Sequence, residues 1–202
     1  MTSPARPKLR RDTQETRDHL LDTVERLLAR QGPTFTLPDL AREAGVGSST
    51  VYRHFDSVHE AHREFFLRAT DRLVARLAHA ARDADTGIER FEAVCGAWVE
   101  AAMNWASAGR HMRSAEGIVE RVRRREPAVW ALAQVLEGVL SDLISAKMIL
   151  DQDLEYAVLI WVTIFDERVI FDLRETMKWS ASKSGQYLGR SVLRALGGPY
   201  SA

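Results

Sequence analysis

The sequence predicts an all-α protein with an N-terminal three-helix head and a larger helical body. Three observations carry that prediction. Between Thr36 and Ala61, TLPDLAREAGVGSSTVYRHFDSVHEA, two short helices flank a glycine turn and a third helix starts at once. Elsewhere apolar residues recur at intervals of three and four, the period of a helix with one wet face. No segment shows the alternation or hairpin turns of a strand, and no repeat is apparent.

The chain opens with Met1 to Arg11, which holds Arg6, Lys8, Arg10 and Arg11 and no acidic residue. Its prolines resist helix, so this arm is expected to be disordered by itself. Fixed beside a helix-turn-helix, such an arm reaches phosphates or a minor groove, which makes Lys8, Arg10 and Arg11 candidate DNA-binding residues. Leu20, Leu21, Val24, Leu27 and Leu28 then predict an amphipathic helix over 12–31, ended by Gly32-Pro33. Thr36 is placed to N-cap the next helix with Asp39 three residues on, and Phe35 and Leu40 hold the positions of a hydrophobic staple. Pro38 is tolerated in a first turn, and Gly45 supplies the positive φ that closes the helix after Ala44.

The second short helix begins at Ser48. With about 100° between residues, Val51 and Phe55 share a face while Ser49 and Arg53 fall about 160° and 200° from Val51 and point outward. Arg53 has the fork that takes guanine O6 and N7, with Ser49 assisting at base edges. Thr36, Ser48, Thr50, Tyr52 and His54 are placed to meet the sugar-phosphate backbone. Ser57 with Glu60 makes a second capping box, so the third helix starts just after Asp56.

These residues resemble the TetR family of transcriptional repressors, whose pattern is roughly A-x-x-A-G-V-S-x-G-T-[LI]-Y-x-[HY]-F-x-[SN]-K-E-x-L. Ala41, Ala44, Gly45, Val46, Thr50, Tyr52, His54, Phe55 and Ser57 match in register, with Val51 a conservative replacement. The chain departs from the pattern at Gly47, where Ser is usual, at Ser49, where Gly is common, and at Val58, where a phosphate-contacting Lys is usual. The resemblance implies a helix-turn-helix DNA-binding domain over 1–57 and a helical ligand-binding and dimerisation domain over 58–202. It further implies a homodimeric, ligand-responsive repressor that binds a palindromic double-stranded operator and is released by a small, mostly apolar effector. Tyr52 and His54 are carried over as phosphate contacts. The helices from Asp153 and Ser184 are carried over as a four-helix dimer interface, with Tyr156, Ile160, Ile164, Tyr187, Leu188 and Val192.

In the body, Ala61, Phe65, Ala69, Leu73 or Val74, and Leu77 predict one long helix over 58–83, which in the family links the head to the ligand-sensing body. Further helices are expected at about 88–107, 111–125, 128–150, 153–178 and 184–196. Phe91, Cys95, Trp98, Ala102 and Trp105 form one stripe, with Met112 close behind, and the stretch after Asp153 is apolar nearly all round. Ligand cavities are concave, mostly apolar and furnished with few polar groups. Phe91, Cys95, Trp98, Trp105, Met112, Trp161 and Phe165 are therefore candidate ligand-binding residues, with Asn104 and Asp166 as polar members; ordinary core packing is the alternative reading. A carboxylate at Asp166 needs a partner, and an arginine salt bridge is the plainer expectation. The run Arg121 to Arg125 reads as a solvated helix end rather than a nucleic-acid patch.

Composition narrows the function classes. The chain has 202 residues, 46% hydrophobic, with 28 basic against 28 acidic residues. Overall neutrality does not exclude DNA binding, which depends on local charge. The single cysteine, Cys95, excludes an internal disulfide and a cysteine-rich zinc site and fits a cytoplasmic location. Of His54, His59 and His62 near the head, His59 and His62 stand three apart, but no third ligand follows at useful spacing, so no metal and no cofactor are expected. No secretory signal is visible, and no run of about 18 uncharged apolar residues predicts a membrane span. Catalytic motifs are absent, so the chain is not expected to be an enzyme. A constitutive DNA-binding protein without an effector is the first alternative. A helical enzyme built on Asp166, Glu167 and Arg168 is the second.

Overall fold

Helix dominates the structure, a computed structural model that describes residues 6–85, 87–103 and 116–198, with the side chains of Arg6 to Arg11 outside that description. No strand occurs among the described residues. They fall into two units, divided between Arg68 and Ala69.

The first unit is built from α1 (Arg6–Gln31), a 3-10 turn (Gly32–Thr34), α2 (Leu37–Ala44), α3 (Ser48–Tyr52) and the opening turns of α4 (Val58–Asp83). One expectation is corrected here, since α1 begins at Arg6 and the basic arm is helical from there. Pro7 stands in the first turn, where its missing N–H deprives no carbonyl of a partner, and Lys8 to Arg11 are good helix formers. Leu20, Val24, Leu27 and Leu28 of α1 meet Phe35, Leu40, Val51, Phe55, Ala61 and Phe65 in a core from which water is excluded.

The termini of α2 match their sequence signals. The Thr36 hydroxyl accepts from Asp39 N at 3.3 Å and the Asp39 carboxylate accepts from Thr36 N at 2.9 Å. Gly45 then adopts φ 68°, and Val46 N donates to Ala41 O at 3.1 Å. At α4 the Ser57 hydroxyl accepts from Glu60 N, while Glu60 reaches back to Asp56 N at 2.7 Å.

The second unit holds the rest of α4, then α5 (Ile88–Met103), α6 (Ile118–Arg123), α7 (Pro127–Ser145), α8 (Leu154–Ile164), α9 (Glu167–Phe171), a π-helical turn (Asp172–Thr176) and α10 (Ala181–Ala195). Three expected boundaries are corrected. The helix expected to reach Leu150 stops at Ser145, where Lys147 takes φ 56° and Met148 N donates to Leu143 O. The single helix expected over 153–178 is broken after Ile164, because Asp166 leaves the helical region and caps α9 by accepting from Arg168 N at 2.9 Å. Ser180 likewise caps α10, which starts three residues before the expected Ser184.

Close approach of α10 to α5 depends on glycine. A Cβ at Gly185 would stand 3.3 Å from Gly96 Cα, and one at Gly189 would stand 3.3 Å from Cys95 Sγ. Helix α7 is long and apolar enough to cross a membrane by length and composition, and Glu137 and Asp142 interrupt it. Its Leu132, Leu136, Val139, Leu140 and Leu143 are buried within the unit.

Candidate nucleic-acid interface

The site is a short helix held from behind. Val51 and Phe55 are 0% and 1% exposed and anchor the inner face of α3. Ser48, Ser49, Tyr52 and Arg53 are exposed, and Thr50 and His54 are half-buried at its flanks. The Arg53 guanidinium donates to Thr50 Oγ1 at 3.2 Å, a light tether that leaves it free to turn toward another acceptor. Burial, followed by the Arg17 and Arg53 charges, holds His54 below the usual histidine pKa, so its ring is neutral at neutral pH. Thr36 is exposed, but its hydroxyl donates to Asp39 Oδ2 at 2.7 Å and belongs to the cap. Those bonds from Thr36, then Arg42, hold the Asp39 carboxyl below its usual range.

Lys8, Arg10 and Arg11 have their backbone in the opening turns of α1, and their side chains lie outside the described residues. One residue that sequence reasoning missed stands behind α3. Arg17 donates to the His54 carbonyl at 3.3 Å and pairs with Glu64. No local signal marks it, since those partners lie 37 and 47 residues away. Arg68 joins α4 to α1 in a similar way, donating to Asp18 O at 3.2 Å and pairing with Asp22 at 2.8 Å.

In the second unit five of the candidate ligand-binding residues come together. Phe91, Cys95, Trp98, Trp161 and Phe165 are all buried, with Phe91 and Trp161 ring centroids 4.8 Å apart and Trp98 and Phe165 5.2 Å apart. Burial, then Glu92, pushes the Cys95 thiol pKa up, so it stays protonated and packs as an apolar group. Beside this cluster a groove of about 340 Å³ runs between α5 and α10 over Phe91, Cys95, Gly96, Gly185, Gly189 and Leu193. Asp166 is not aimed among the aromatic rings. It caps α9 and accepts from Arg168 Nε at 3.0 Å, the arginine pairing expected of it. Asn104, Trp105 and Met112 lie outside the described residues.

The dimer candidates divide. Tyr156 and Tyr187 are 52% and 49% exposed, and Ile160 and Ile164 are half-buried. Leu188 and Val192 are instead buried within their own unit, so their side chains are not available to a second chain. The structure adds Leu159, Val169 and Met177 as exposed apolar residues. At the C-terminal end of α6 the basic run is largely paired, as Arg121 pairs with Glu126, Arg123 with Glu155 and Arg124 with Glu116. His62 packs edge-on against Phe35 at 4.9 Å, and no group of three or more His, Cys, Asp or Glu gathers as a metal site among the described residues.

Comparison with known proteins agrees with this geometry. Residues 20–57 match the family described as bacterial regulatory proteins, tetR family. The chain is 40% identical over 72 residues to the HTH-type transcriptional regulator AlkX of Mycobacterium tuberculosis, a match that covers 35% of this chain and 34% of AlkX. It therefore spans about a third of that curated relative's length. The whole fold is similar to the fatty acid degradation regulator FadR from Bacillus halodurans, with TM-score 0.73, 15% identity, and coverage of 91% of this chain and 97% of that one. It is also similar to the transcriptional regulator FadR from Bacillus subtilis in complex with stearoyl-CoA, with TM-score 0.68, 19% identity, and coverage of 89% and 96%.

Proposed function

We propose that this chain, whose residues 20–57 match the tetR family of bacterial regulatory proteins, is a homodimeric, ligand-responsive transcriptional repressor of the cytoplasm, with the DNA-binding head over 1–57 and the sensing and dimerisation body over 58–202. The observation that carries this reading is the outward set Ser49, Tyr52 and Arg53 on a helix anchored by Val51 and Phe55. A short helix so presented enters a major groove, where Arg53 takes guanine and Ser49 a neighbouring base edge. Ser48, Thr50, Tyr52 and His54 meet phosphates, and Lys8, Arg10 and Arg11 add positive charge from the arm.

One such helix contacts few base pairs, so two copies related by a twofold axis read both halves of a palindrome. The exposed apolar residues Tyr156, Leu159, Val169, Met177 and Tyr187 support pairing of this kind through α8 to α10. The effector is a small, mostly apolar molecule taken up by the aromatic body, a reading that the apolar stearoyl chain of the ligand in the B. subtilis FadR complex encourages. Its binding favours a conformation in which α4 swings and the two heads no longer match successive grooves, and it acts through its differential affinity for the two states. Fluorescence anisotropy at low salt, with a duplex selected from a random library and a scrambled duplex of equal length, tests the DNA reading: wild type prefers the selected duplex, and the double variant Ser49→Ala, Arg53→Ala loses that preference. Titration of a preformed complex with stearoyl-CoA, against an unrelated CoA ester, tests the effector class. Absence of duplex binding by wild type contradicts the first reading, and an undisturbed complex contradicts the second.

A further inference from the structure

Arg17 brings three elements of the first unit onto one cation. Its Nη1 donates to the His54 carbonyl at 3.3 Å, its Nη2 pairs with the Glu64 carboxylate of α4, and its guanidinium lies 5.4 Å from the centroid of the Phe55 ring. Both side chains are largely sheltered, at 32% and 21% exposure. The His54 carbonyl stands just past α3, where a helix leaves carbonyls without intrahelical partners and a cation is favoured.

Helix α3 is five residues long and lacks a side-chain N-cap, so its orientation depends on what grips its inner face and its far end. Val51 and Phe55 grip the face. Arg17 grips the end and simultaneously holds the ring of Phe55 and a carboxylate of α4. We propose that Arg17 is a positioning residue for DNA recognition: through the His54 carbonyl, the Phe55 ring and Glu64 it fixes the angle at which Ser49 and Arg53 are presented and joins α4 to the recognition helix. This rests on the DNA-binding reading, and it gives movement of α4 a direct route to α3.

Glu64 makes the proposal testable by sign. Removing a negative charge from a DNA-binding head raises affinity on electrostatic grounds, because phosphate repulsion falls. Loss of positioning lowers it. The experiment measures affinity of the purified 202-residue protein for the duplex that wild type selects from a random library and for a scrambled duplex of equal length. Glu64→Gln, Arg17→Lys and Arg17→Met are compared with wild type, and circular dichroism melts establish that each is folded. Glu64→Gln and Arg17→Lys are expected to bind the selected duplex about tenfold more weakly, the scale of one lost charge-assisted hydrogen bond, while scrambled binding holds within about threefold. Glu64→Gln binding as tightly as wild type or tighter overturns the proposal. Arg17→Lys at wild-type affinity beside a weakened Arg17→Met also overturns it, because Arg17 is then a plain phosphate contact. Should Arg17→Met fail to fold, the isosteric Glu64→Gln and the charge-preserving Arg17→Lys still decide the matter. If wild type selects no duplex at all, the DNA-binding reading itself falls, and positioning with it.

Discussion

The unit that ends at Arg68 turns polar side chains outward on a helix of five residues, whereas the unit from Ala69 turns aromatic side chains inward on long helices. Both arrangements obey the same burial rule, yet they differ in what they reveal. An outward Ser49 and Arg53 on a well-anchored helix stand where a partner can reach them, as the proposed reading requires. An inward Trp98, Trp161 and Phe165 are equally at home in a filled core and in the wall of a cavity. Outward groups can be tested for a partner directly, whereas inward rings must first be shown to border a cavity.

In the body, the aromatic cluster is expected to carry the most stability. Trp161→Ala is expected to cost about 3–5 kcal/mol of unfolding free energy by urea titration, since Trp161 is fully buried among Phe91, Trp98 and Phe165. A cost below about 1 kcal/mol would mean that the ring borders open space. On the side of the head, Arg53→Ala is expected to weaken binding of a selected duplex by about 1–3 kcal/mol, with the urea midpoint nearly unchanged because Arg53 is exposed and lightly tethered to Thr50 Oγ1 at 3.2 Å. Equal binding by variant and wild type would remove Arg53 from base readout.

Smaller effects sharpen the picture of the head. Gly45→Ala places a side chain at φ 68° with nothing within 4 Å of the new Cβ, so its cost is conformational, about 1 kcal/mol in urea. An unaffected midpoint would mean that the turn can leave the left-handed region freely. The smallest expected effect is that of pH. Burial holds His54 and His62 below the histidine value of 6.5. Between those depressed values and 6.5 the unfolded chain binds more protons than the folded one, so stability rises with pH across that window and is lost as pH falls through it. The urea midpoint should therefore be lower at pH 5.5 than at pH 7.5, and a midpoint that rises on acidification would contradict the burial of both rings.

Much of the head was legible because its signals are local. Thr36 and Asp39, Gly45, and Ser57 with Glu60 each act within four residues, and each bounds a helix where expected. Pro7 misled because a proline that stops a helix from within is harmless in its first turn. The break at Asp166 was hidden by an unbroken apolar run, and its cause is a cap rather than a glycine or proline. The period of Leu188 and Val192 fits an interface and the inner face of α10 alike, and a helix sequence alone does not say which neighbour covers which stripe. Arg17 was invisible for a related reason. Its importance lies in partners 37 and 47 residues away, and nothing local separates it from the other polar residues of α1.

On the proposed reading, Ser48 to Arg53 reads duplex DNA as one half of a symmetric pair. Selection of binding sites from a random duplex library by the purified protein addresses it most directly. A recovered palindrome whose half-site centres lie about 10–10.5 base pairs apart, or a multiple of that spacing, is the predicted result. Recovery of no enriched sequence, or of one without twofold symmetry, would contradict it.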